Sequence, residues 1–199
     1  MAAPKKPRGR PKTLNRHDIV AAAAATYWRE GVHGLSLNEM CRRVEVSKPG
    51  LYREFGGEDG LMVAALDHYW DRVISPVFVL LAQDRPFAES LAGILQWATT
   101  ERDDPPGCLF ATMRSATSRL GPATAARVAA RREEMRTVYG DWYRRARERG
   151  EVNADVAPEL AGRYIDTQLR SVLVQMAAGE PPGWVRAQAH LAFQVLTMA

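Results

Sequence analysis

From Leu14 onward, apolar residues recur at helical spacing in stretches that glycine or proline cuts off, with no alternating strand pattern of useful length and no internal repeat. A chain punctuated in this way folds as an all-α protein. Leu14, Ile19, Ala22, Ala23, Thr26 and Tyr27 carry the first period, with Asp18 near its cap and Gly31 stopping it. Two short helical segments follow, about 37–43 and 48–54, before Gly56-Gly57 breaks the chain. A longer helix starts at Glu58, and Ser75-Pro76 should kink or end it. Further helices are expected over 86–102, from Cys108 to just before Gly121, and over 122–149 with Gly150 as C-cap. One more is expected from a cap at Asp155 to about residue 178, and a last one over 184–198.

Hydrophobic residues make up 46% of the chain and charged residues 25%, so a buried core is available. No apolar run approaches the ~18 residues of a membrane span. The run 19–28 is mostly alanine and is bounded by His17-Asp18 and Arg29-Glu30, which suits a helix better than a signal peptide. A cytoplasmic protein is expected, with Cys41 and Cys108 as reduced thiols. Charge is more informative by position than in total. Lys5, Lys6, Arg8, Arg10, Lys12 and Arg16 precede residue 17 without a single acid, and without these six the 27 Lys and Arg fall to 21 against 23 Asp and Glu. The positive excess therefore sits on residues 1–13 and Arg16, where Pro4, Pro7 and Pro11 forbid a helix. A flexible basic arm over 1–13 suits the phosphates of nucleic acid, or is a solvated tail.

The two short segments carry a second signal. Ser36 can cap a helix with Leu37, Met40 and Cys41 inward, and Ser47 can cap another bearing Leu51, Tyr52 and Phe55. Helices this short, joined by a turn of three or four residues, match a helix-turn-helix, with Leu14–Tyr27 packing across them as the third helix. In that geometry the second helix enters the major groove by its N-terminal end, here Ser47, Lys48, Pro49 and Gly50. Lys48 can reach a base edge or a phosphate, and Gly50 lets backbone approach DNA. In the arm, Pro7-Arg8-Gly9-Arg10-Pro11 followed by Lys12 has the form of an AT-hook core, which lies in the narrow minor groove of A·T-rich DNA.

Read from Gly31 to Leu61, the pattern G-x4-S-L-x2-M-C-x2-V-x-V-S-K-P-G-L-Y-R-E-F-G-G-E-D-G-L resembles the N-terminal domain of the TetR family of regulators. The resemblance covers about the first third of the chain. It implies a helix-turn-helix domain over 14–57 and a larger helical domain over 58–199 that binds an effector and dimerises. It places Ser36 and Tyr52 at phosphate-contacting positions and Lys48 and Arg53 on the recognition helix. Three positions depart from the family pattern. Glu45 stands for the turn glycine, Cys41 for a small alanine, and Glu58 for a phosphate-binding lysine. Between Ser36 and Glu58, Arg42, Arg43, Lys48 and Arg53 are matched by Glu39, Glu45, Glu54 and Glu58, so the reading head is neutral and the arm could compensate.

Bulky apolar residues are plentiful in the middle helices, and most are expected to be plain core. Met62, Leu66, Tyr69, Trp70, Trp97, Phe110, Met113, Tyr139 and Trp142 are candidates for an effector pocket suited to an apolar or aromatic ligand. Leu160, Tyr164, Leu169, Val172, Leu173, Met176, Trp184, Leu191 and Val195 form a band too broad for one partner, which suits a four-helix homodimer interface. Cys108 opens a helix whose dipole would favour a thiolate, although free cysteine more often packs as a small buried hydrophobe. His17, His33, His68 and His190 show no metal-ligand spacing, and no cofactor or catalytic motif is present. The function expected is a DNA-binding transcriptional regulator, a repressor released from a near-palindromic operator by its ligand. An architectural protein binding A·T-rich DNA through the arm is a second reading. A helical enzyme, with a site assembled from distant residues, is a third.

Overall fold

The computed structural model describes residues 15–32, 35–100, 104–105 and 107–197, and every described element is helical. Three helices come first: α1 (Arg16–Glu30), α2 (Leu37–Arg43) and α3 (Lys48–Phe55). Asn15, rather than Asp18, caps α1, with its Oδ1 accepting from the Asp18 N–H at 2.9 Å. Gly31 ends the helix at φ 76°, as its position predicts. Ile19, Ala23 and Tyr27 bury one face of α1, which packs on α2, on α4 (Glu58–Tyr69) and on α7 (Leu109–Ser115). Arg16 ties α1 to the end of α3 through Glu54 at 3.3 Å and lies over the Phe55 ring.

Ser75-Pro76 does not end the next helix. Residues Trp70–Ile74 form a π-helical turn in which the Ser75 N–H reaches back five residues to the Trp70 carbonyl, and α5 (Ser75–Leu81) continues beyond it. Pro76 donates no N–H and crowds the preceding turn, so a widened turn accommodates it. The helix expected over 86–102 is shorter, α6 (Phe87–Ala98), because the Thr99 hydroxyl bonds back to the Leu95 carbonyl at 2.7 Å as the backbone leaves helical geometry. Its start is capped from afar, by Glu151 Oε2 accepting from the Phe87 N–H at 2.8 Å.

After α7, a 3-10 turn at Thr117–Arg119 leads to the long α8 (Pro122–Glu148), with Gly150 at φ 70° just beyond its end. α9 (Pro158–Ala177) is not capped by Asp155. Asn153 Oδ1 instead accepts from the Asp155 N–H, and the Asn153 N–H is fixed to the Leu196 carbonyl at 2.8 Å. The last helix, α10 (Pro182–Phe193), begins two residues before Trp184 and closes in a 3-10 turn at Gln194–Leu196. α8 packs most extensively on α9, and α9 packs on α10. No described helix is long and apolar enough to cross a membrane.

Candidate nucleic-acid interface and apolar cavity

Both short helices carry the caps their sequences predict. Ser36 Oγ accepts from the Glu39 N–H and Ser47 Oγ from the Gly50 N–H, each at 3.2 Å. Each hydroxyl keeps its own proton and can donate it to a phosphate oxygen. A Cβ on Gly50 would stand 3.0 Å from Ser47 Oγ, so glycine there protects the cap as well as leaving the backbone open. Gly57, at φ 126°, would bring a Cβ 3.3 Å from the Tyr52 ring, so its lack of a side chain makes room for that ring. Tyr52 is 52% exposed, and Ser47, Lys48, Pro49 and Arg53 are exposed beside it. Lys48 and Arg53 have no acidic partner among the described residues, whereas Arg42 and Arg43 are held by Glu39, and Arg43 also by Glu30. Hydrogen bonds from Arg42 and Arg43 lower the Glu39 carboxyl to about 2. The neutral balance seen in sequence therefore divides into paired charges on α2 and free cations on α3. Arg8, Arg10 and Lys12 lie outside the described residues.

Glu45 is the one described non-glycine residue with positive φ, at 51°. The turn thus keeps the left-handed geometry of a glycine and bears its strain, ~1–2 kcal/mol for an L-residue. Glu45→Gly should stabilise the protein by roughly 0.5–1 kcal/mol, once glycine's larger unfolded-state entropy is set against the relieved strain. It also removes an exposed acid from the head, so DNA binding should strengthen. Urea unfolding and DNA titration check both, and a less stable variant would show that the turn carries no strain.

Glu58 does not anchor phosphate as a lysine would. It is half-buried in the first turn of α4, where a negative charge suits the helix dipole. Its neighbour Asp59 holds the start of α8, accepting from the backbone N–H groups of Ala123 and Thr124, each at 2.9 Å, and from the Thr124 hydroxyl at 2.5 Å. Burial pushes the Asp59 carboxyl up, and these hydrogen bonds more than offset it, leaving it below its ordinary value. Gly121 accommodates this cap, since a Cβ there would fall 2.3 Å from Asp59 Cγ. Asp67, farther along α4, pairs with Arg127 and Arg131 of α8. α4 is thus fixed to α8 at two levels, 64 residues apart in sequence at Asp59 and Ala123, a link that no local pattern discloses.

A mostly apolar cavity of about 40 Å³ lies among α5, α6, α7, α8 and α9. Of the sequence candidates, Trp97, Phe110 and Tyr139 line it. The others pack elsewhere: Tyr69 stands edge-on to Trp28, Trp142 stacks on Phe87 at 4.3 Å, Trp70 lies under the Arg131 guanidinium, and Met62, Leu66 and Met113 are buried off the cavity wall. Three charged residues missed in sequence, Arg114, Asp166 and Arg170, line it instead. The readable signal was Asp166, an acid set among the apolar positions Ala161, Ile165 and Leu169 of α9. Cys108 also lines the cavity, and burial raises its thiol, more than offsetting a hydrogen bond from Tyr69 and the Arg114 charge, so it packs as the small buried hydrophobe expected rather than as a thiolate. Burial likewise raises Cys41.

The outer band of α9 and α10 divides in two. Leu160, Trp184, Leu191 and Val195 are exposed, Trp184 and Leu191 at 69% each. Tyr164, Leu173 and Met176 are half-buried, whereas Leu169 and Val172 turn into the subunit's own core and are not offered to a partner. His17 and His68, distant in sequence, meet edge to face at 5.4 Å, and no group of three or more metal-binding side chains forms among the described residues.

Residues 19–65 match the family model described as bacterial regulatory proteins, tetR family. Two curated proteins of Escherichia coli strain K12 are similar over part of their length. The HTH-type transcriptional repressor ComR is 31% identical across 53% of this chain and 52% of its own, and the repressor BdcR 28% identical across 50% and 51%. The chain thus spans about half the length of the curated relatives it matches. Among solved structures, a cysteine mutant of the TetR family regulator CifR complexed with 26-base-pair double-strand operator DNA superimposes with a TM-score of 0.78, at 25% identity over 94% of this chain and 100% of the other. A putative TetR-family regulator from Rhodococcus sp. matches the fold at TM-score 0.76 and 18% identity over 92% and 98%. All of these are regulators rather than enzymes. The helix-turn-helix region, residues 19–65, thus carries the N-terminal domain of the tetR family of bacterial regulatory proteins, and the whole fold is like that of solved members.

Proposed function

We propose that the protein is a transcriptional repressor that binds a near-palindromic operator as a homodimer and is released by a small ligand held in the cavity. The observation that carries this reading is the face of α3, where Ser47 and Lys48 stand exposed at its capped N-terminal end and Tyr52 and Arg53 farther along it, with both cations free of acidic partners among the described residues. The head would comprise residues 14–57 and the effector and dimer half residues 58–199. Exposed Leu160, Trp184, Leu191 and Val195 support self-association through α9 and α10, which would set two recognition helices ~34–36 Å apart on successive major grooves. Ligand bound against Tyr139 and Met135 of α8 would act on α4 through Asp59 and Asp67, shifting the population toward a head spacing that no longer fits DNA. A ~100-fold loss of operator affinity needs a preference of only ~2.7 kcal/mol between the two states.

Selection from random duplexes with purified full-length protein tests the reading. An enriched inverted repeat supports it, whereas enrichment of A·T content alone would assign binding to the arm and make the protein architectural. Deleting residues 2–12 should lower affinity for the selected duplex several-fold and flatten its salt dependence, because each phosphate contact contributes a slope of about −0.9 in log K against log salt. Equal affinity with and without the arm at two salt concentrations would remove it from the mechanism.

A further inference from the structure

One corner of the cavity carries more positive charge than its acids balance. Asp166, 1% exposed, accepts from Arg114 Nη1 at 2.9 and 3.3 Å and lies 3.6 Å from Arg136 Nε. Arg136 also pairs with Glu133 at 2.6 Å. Arg132 and Arg170 stand close by with no acidic partner among the described residues, so four guanidiniums share two carboxylates. The Nε atoms of Arg132, Arg136 and Arg170 are buried without a hydrogen-bond acceptor among the described residues. Buried donors left unmatched are costly, and Arg170, the one of the three that lines the cavity, favours an anion that can accept from it, with Arg132 and Arg136 adding positive charge behind the wall. Burial and the neighbouring Arg114 and Arg136 lower the Arg132 guanidinium, which reflects the same crowding of cations.

Much of the rest of the wall is apolar, with Ile74, Val77, Ile94 and Phe110 among its lining residues. Tyr139 also lines the cavity, and burial and the Asp166 charge push its hydroxyl further up, so it stays a protonated donor. The half-buried lining residues are Trp97, Arg114, Arg170 and Leu173, and an occupant would enter past Trp97, Arg170 and Leu173. At about 40 Å³ the cavity is far smaller than the ~300 Å³ or more of a typical ligand site, so binding must move this rim outward.

We propose that the effector is an amphipathic organic anion, a carboxylate on a short apolar or aromatic body, with the body in the cavity and the carboxylate against Arg170 and Arg114. Asp166 does not repel it decisively, because Arg114 and Arg136 already neutralise that charge. The proposal rests on reading the helical half as an effector domain and is independent of DNA sequence. It is therefore tested without DNA. Phenylacetate and hexanoate, each beside its primary amide, are titrated into full-length protein by calorimetry, with melting temperature as a second readout. Each acid is expected to bind at least tenfold more tightly than its amide and to raise the melting temperature. Arg170→Gln, which breaks no ion pair among the described residues, should keep the fold and reduce the preference for acid to threefold or less. Equal binding of acid and amide, an unchanged preference in Arg170→Gln, or no binding by either acid would overturn the proposal. None of these results depends on whether a selected duplex is an inverted repeat, so failure of the repressor reading is distinguished from failure of this one.

Discussion

Replacing Asp166 by alanine is expected to destabilise the protein by ~3–5 kcal/mol, the cost of removing one partner from a buried ion pair. The cost comes from what remains. With the carboxylate gone, Arg114 and Arg136, whose side chains are 12% and 13% exposed, face each other and Arg132 with only Glu133 to balance them. The Arg114 guanidinium also lies 5.6 Å from the Phe110 ring, which holds it inside rather than releasing it to water. Asp166→Asn is the informative companion. It keeps the shape and one acceptor oxygen for Arg114 while removing the charge, so its smaller loss separates hydrogen bonding from charge balance. Urea unfolding of the three proteins decides the matter. A loss near 1 kcal/mol or below for Asp166→Ala would show that the arginines swing out to solvent.

How much of this was legible follows the distance over which each feature is made. The helix-turn-helix was legible almost to the residue, because its determinants lie within four positions of one another: Ser36 capping at Glu39, Ser47 capping at Gly50, and Gly56 closing α3 at φ 72°. Boundaries slipped where a remote group intervened. Glu151 fixes the first N–H of α6, and the tether from Asn153 to Leu196 takes the place of the cap expected from Asp155. The cavity slipped for a related reason. Helical spacing marks Met62, Leu66 and Tyr69 as inward-facing, but not whether a neighbouring helix or empty space lies opposite. Tyr69 meets Trp28 of α1 at 4.8 Å, and only Trp97, Phe110 and Tyr139 among the candidates reach the cavity. The same limit divides α9, where Leu160 faces outward and Leu169 inward although both belong to one apolar band. Arginines at 132, 136 and 170 resemble a solvated face in sequence, and only Asp166 at a core position shows that part of that face is buried.

Gly162→Ala, at the one glycine of α9, should destabilise the protein, and Gly93→Ala in α6 should act in the opposite direction. In a helix interior the substitution by itself favours folding by ~0.5–1 kcal/mol, since alanine has less conformational freedom to lose. At Gly93 nothing lies within 4 Å of the added Cβ, so this gain should appear in full. At Gly162 the Cβ would fall 2.4 Å from the Arg136 carbonyl oxygen and 2.8 Å from the Gly140 backbone nitrogen, both main-chain atoms of α8 that no rotamer change can move. Relief requires α8 and α9 to separate, and overpacking of this kind costs ~1–3 kcal/mol or more. The clash exceeds the intrinsic gain, so net destabilisation is expected. Separation would also draw Asp166, one turn along α9, away from Arg136 on α8, adding part of the ion-pair loss to the steric cost. Denaturant unfolding of both variants gives opposite signs if α8 and α9 cross in backbone contact. A Gly162→Ala protein as stable as Gly93→Ala would mean that the two helices stand farther apart and that the cavity wall they share is built differently.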